Sequence, residues 1–70
     1  MTWDELKEKA EEMGGFVCFN RRRNNEVIVM EWLTFCDNGD IFVDDDCGGE
    51  YKGATHRTPE QMLMIMRGLE

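Results

Sequence analysis

Seventy residues carrying a net charge of −7 make one domain and leave no room for a second core. Hydrophobic residues at 41% suffice for a globule, and the patterned apolar blocks argue against disorder. Domains below about 70–80 residues often need a disulfide, a metal or a partner subunit for support, so each of those has to be weighed.

The chain opens on a helix, expected over residues 2–13. Thr2 and Glu5 form a Thr-x-x-Glu capping box, and Trp3, Leu6, Ala10 and Met13 recur at helical spacing as one apolar stripe. Gly14-Gly15 ends it, since glycine takes the left-handed cap without strain. Phe16-Val17-Cys18-Phe19-Asn20 reads as a short strand, and the polar stretch from Arg21 to Asn25 as a turn. Glu26 to Cys36 is rich in strand formers and reads as one long central strand. Asn38-Gly39 between apolar runs predicts a hairpin into a third strand, Ile41-Phe42-Val43. After a Gly-rich connection from Cys47 to Arg57, Thr58-Pro59-Glu60-Gln61 announces a second helix with Met62, Ile65, Met66 and Leu69 inward, Leu63 widening that face and Met64 outward.

The expected fold is therefore a single small α+β domain over residues 1–70, in the order α-β-β-β-α. It is a three-stranded antiparallel meander with two helices on one face. A two-residue turn at Asn38-Gly39 places Cys36 opposite Ile41 and Thr34 opposite Val43. Ile28, Met30, Trp32, Thr34, Cys36, Ile41 and Val43 then share the core face, buried with Trp3, Leu6, Ile65 and Leu69. The other face mixes Val27, Val29, Leu33, Phe35 and Phe42 with Glu31, Asp44 and Asp46.

Charge is unevenly spread. Residues 1–25 hold five acids and five bases, residues 26–50 hold eight acids and no base, and residues 51–70 net +1. A surface of that sign repels phosphate backbones and attracts basic partners. Arg21, Arg22 and Arg23 form the lone basic cluster and read as a solvated turn.

Three cysteines, Cys18, Cys36 and Cys47, cannot all pair internally. That odd count, with no secretory start and no apolar run of the roughly 20 residues that span a membrane, predicts a cytoplasmic protein without disulfides. Zinc is not expected either. No C-x-x-C pair is present, and pairing Cys18 near Val29 would leave Cys36 roughly 20 Å away at about 3.3 Å per residue. The aspartates lack the alternating ligands of a calcium loop. One histidine, no serine and no phosphate-loop spacing make catalysis unexpected, so the chain is read as a non-enzyme with no cofactor and no metal.

The function expected is a small acidic protein-interaction module. Its surface would be Val29, Glu31, Leu33, Phe35, Phe42, Asp44 and Asp46, because contiguous uncovered apolar residues usually mark an interface. The partner would be a basic or nucleic-acid-binding protein, or a second copy of the chain. Direct contact with nucleic acid or membrane is not expected. Compact size, the acidic middle and the α-β-β-β-α order also resemble small phage-encoded inhibitors, including some anti-CRISPR proteins. That resemblance implies an alternative function, an acidic inhibitor that presents carboxylates in place of phosphates.

Overall fold

A computed structural model describes residues 1–43, 49–50 and 57–69, the pair 49–50 as backbone only. Asp44, Asp46, Cys47 and most of the Gly-rich connection lie outside the described residues. Both helices form where local hydrogen bonding demands them. In α1 (Trp3–Glu12) the Thr2 hydroxyl accepts from the Glu5 amide while the Glu5 carboxylate accepts from the Thr2 amide. In α2 (Pro59–Gly68) Thr58 and Gln61 repeat the same reciprocal box behind a proline in the first turn. Each box satisfies two amides that the helix itself leaves unpaired.

The sheet between them is antiparallel, with strands β1 (Phe16–Asn20), β2 (Asn25–Met30), β3 (Leu33–Cys36) and β4 (Ile41–Val43). Gly49–Glu50 add a two-residue β5, and spatial order follows chain order from β1 to β5. The architecture is thus α+β, but the sheet has at least four strands rather than the expected three. The difference arises at Glu31-Trp32, where the long central strand breaks into a hairpin that pairs Met30 with Leu33. Glu31 adopts a left-handed φ of 53° there, without the glycine or asparagine that usually marks such a turn.

A second departure lies at Asn38-Gly39. The Gly39 amide donates to the Cys36 carbonyl (3.0 Å) and the Cys36 amide to the Asp40 carbonyl (2.8 Å), leaving a three-residue connection with Gly39 at φ 94°. Ile41 therefore pairs with Phe35 and Val43 with Leu33, one residue out of the expected register. Each shift alone would invert the faces of everything beyond it, because strand side chains alternate with period two. Together they cancel at β4 and invert β3 only.

The core follows from this. Leu6 and Ala10 of α1 and Met62, Leu63 and Met66 of α2 pack with Ile28, Met30, Leu33, Phe35 and Ile41, and Trp3, Met13, Val17, Ile65 and Leu69 close around them. The expected core face is corrected in four places. Thr34 and Cys36 point to the opposite face, Val43 is exposed, and Trp32 is 57% exposed at the hairpin tip. On that opposite face Val27, Val29, Cys36 and Phe42 make a smaller cluster.

Gly15 joins α1 to β1 at a point where two elements touch. A Cβ there would lie 2.9 Å from the Met30 methyl and 3.2 Å from the Ala10 and Val29 carbonyl oxygens. The Gly15 amide donates to the Ala10 carbonyl at 2.8 Å. This seam fixes the end of α1 against the end of β2.

Candidate interaction surface

Of the residues expected to form an exposed patch, the four apolar ones are all buried. Leu33 and Phe35 are inside the main core at 2% and 0% exposure. Val29 and Phe42 are also buried, on the other side of the sheet, where the Arg23 guanidinium lies 3.6 Å from the Phe42 ring centroid. Glu31 is exposed in the β2–β3 turn, and Asp44 and Asp46 lie outside the described residues. The reason is the inverted β3: the hairpin at Glu31-Trp32 puts Leu33 and Phe35 on the same face as Ile28 and Met30.

What the fold exposes instead is β1. It stands at the end of the strand order, paired with β2 on one side only, so its outer backbone amides and carbonyls have no strand neighbour among the described residues. The strand contains no charged residue. Phe16 is 57% exposed and Phe19 60% exposed, and Cys18 between them is exposed too. Val17 and Phe19 point toward the helix face of the sheet, and Phe16 and Cys18 away from it, as their partners Ile28, Glu26, Val29 and Val27 require.

α1 runs antiparallel to β1 and roofs this edge. At its start the Trp3 indole N–H and the Lys7 ammonium both donate to Glu26 Oε1 at 2.9 Å, beside Phe19, and Lys7 also holds Asp4 at 2.9 Å. Glu26 is held below the usual carboxylate range by the Lys7 and Trp3 hydrogen bonds. Lys7 is raised correspondingly by Glu26 and then Asp4. At its end the Gly15 seam brings α1 to Val29. Between them a shallow groove of about 400 Å³ is lined by Asp4, Lys7, Glu8, Glu11 and Val17. Among the described residues neither Glu8 nor Glu11 has an ion-pair partner.

The described acids of residues 26–50 do not make one surface. Glu26 is ion-paired beneath α1, Glu31 caps one end of the sheet, and Asp37 and Asp40 sit in the β3–β4 turn at the other. Asp40 is further engaged with Asn38, whose side-chain amide donates to Asp40 Oδ2 at 3.2 Å.

The two described cysteines are closer than expected. Cys18 pairs with Val27, and Val27 pairs in turn with Cys36, so the three share one row across the sheet. Two strand spacings separate the thiols by about 10 Å rather than roughly 20 Å, still beyond disulfide reach. Among the described residues no group of three metal-ligating side chains converges, and no helix is long and apolar enough to cross a membrane.

The edge was available to sequence reasoning, since the first strand of a meander is an end strand and Phe-Val-Cys-Phe carries no charge. The exposure of Trp32 was not, because it depends on a turn without a turn residue. No family model, no curated protein and no solved structure matches this chain.

Proposed function

We propose that the chain is a small acidic protein-interaction module whose contact surface is the outer edge of β1. The observation that supports this reading is a five-residue terminal strand, free of charge, with both phenylalanines more than half exposed. Unpaired strands of this kind are templates for another extended segment, which gains main-chain hydrogen bonds on docking. Edges that nothing uses are commonly blunted by lysine, proline or a bulge within the strand, and Phe16–Asn20 has none of these. The reading assigns no catalysis and no cofactor.

The test is a double substitution, Phe16→Asp with Phe19→Asp. Both side chains are exposed, so the melting temperature should hardly change. Proteins that co-purify with the wild-type chain should be lost from the variant. Their undiminished recovery on a folded variant would reject the edge as the contact surface.

A further inference from the structure

The β1 edge also carries information about what it would accept. Its roof is acidic: Glu8 and Glu11 line the groove together with Val17 of β1. Asp4 stands one turn earlier, but its charge is already shared with Lys7. Along a helix, residues four apart are separated by about 6 Å and residues three apart by about 4.5 Å. Along a strand, same-face side chains recur every 6.7 Å or so. Asp4 and Glu8 thus nearly match the repeat of a strand laid beside β1, and Glu8 and Glu11 fall short of it by about 2 Å, a gap that the long, flexible side chains of lysine and arginine span.

We propose that the β1 edge takes up an extended basic segment of another protein, which adds as an outer strand with lysine or arginine at alternate positions facing Glu8 and Glu11. The inference rests on the reading of that edge as the contact surface. Arg21 and Arg22 follow β1 directly, Arg23 being turned onto Phe42, and they set where the charges lie: basic side chains of the added strand sit toward the Phe16 end, away from the arginine turn. A second copy of the chain fits less well. Antiparallel pairing of two β1 strands about Cys18 would bring two acidic α1 roofs toward each other across the axis.

The experiment titrates the full chain with labelled synthetic peptides and follows anisotropy. One peptide alternates lysine with valine, a second has glutamate for lysine, a third threonine for lysine, and a fourth is the lysine peptide methylated on its backbone amides. The lysine peptide should bind and the glutamate peptide should not. The pair Glu8→Gln and Glu11→Gln, checked for unchanged melting, should weaken binding by about tenfold, as should raised salt. Binding of the threonine peptide as tight as that of the lysine peptide overturns the basic preference and leaves the edge reading intact. So does a dimer cross-linked through Cys18 on mild oxidation and absent from the Phe16→Asp, Phe19→Asp variant, since a second copy is then the occupant. Equal binding of the methylated peptide removes strand addition and with it the edge reading. No binding by any peptide also overturns the inference.

Discussion

Each face of the sheet buries one large aromatic ring completely, among described neighbours of different kinds. On one, two capped helices lay five buried residues over Ile28, Met30, Leu33, Phe35 and Ile41. On the other, the described cluster is Val27, Val29, Cys36 and Phe42, with a single guanidinium stacked on the phenylalanine. Phe35 and Phe42 are 0% and 1% exposed, one on each side. Burial alone would rank them as equals. Surroundings separate them, because the cost of losing a buried ring depends on how many neighbours lose contact and how readily they can close in.

Phe35→Ala should cost about 3–5 kcal/mol. Against the roughly 5–15 kcal/mol that holds a domain together, and with so small a chain at the lower end, that brings unfolding near room temperature. Phe35→Asp should not fold at all, since a carboxylate there would have no partner in an apolar core. Phe42→Ala should fall short of the Phe35→Ala loss, leaving a folded protein with a lowered midpoint in urea. Equal midpoints for the two alanine variants would show that the smaller cluster bears as much of the stability as the larger.

The helix-covered side also has a polar clasp, Trp3 and Lys7 on Glu26. The folded pKa of Glu26 lies below its unfolded value. Its contribution is therefore complete above the ordinary carboxylate range, and fades as pH falls from that range through the depressed folded value. Lys7, raised in the fold, acts in the opposite window: its share is complete below the ordinary lysine range and is lost as pH climbs through the raised value. Glu26→Gln should lower the melting temperature at neutral pH and flatten its decline in acid. An unchanged acid slope would show that the clasp contributes nothing to folding.

The smallest expected effect concerns the turn that decides the faces. Glu31 holds φ 53°, a conformation costing an ordinary residue about 1–2 kcal/mol, whereas glycine gives back part of that relief as unfolded-state entropy. Glu31→Gly should therefore raise stability by less than about 1 kcal/mol. A clear loss would mean that the Glu31 side chain has a role in the hairpin beyond its backbone.

That same turn marks the limit of what the residues disclosed. Both helices, with their caps, were legible because the signals are local: a hydroxyl, three residues, an acid or amide. The Gly14-Gly15 stop was legible for the same reason. The hairpin at Asn38-Gly39 was legible as a hairpin, but its length was not, since two- and three-residue connections both welcome a left-handed glycine. The break at Glu31-Trp32 left no local mark. It is selected by burial, because only a chain reversal there brings Leu33 and Phe35 beneath the helices while sending Trp32 outward. The interaction surface drawn from an unbroken strand went with it, and the edge of β1, which depends only on strand order, remained.

One consequence of that outward Trp32 is optical. The two indoles occupy opposite environments: Trp3 is packed against the main cluster with its N–H bound to Glu26, and Trp32 is more than half in water. Trp32 should emit at long wavelength and be open to aqueous quenchers in the native protein, changing little on denaturation. The spectral shift on unfolding should then come almost wholly from Trp3. Because that ring sits at the start of α1, beside the groove, its colour would report the undocking of a single helix as well as the collapse of the whole domain.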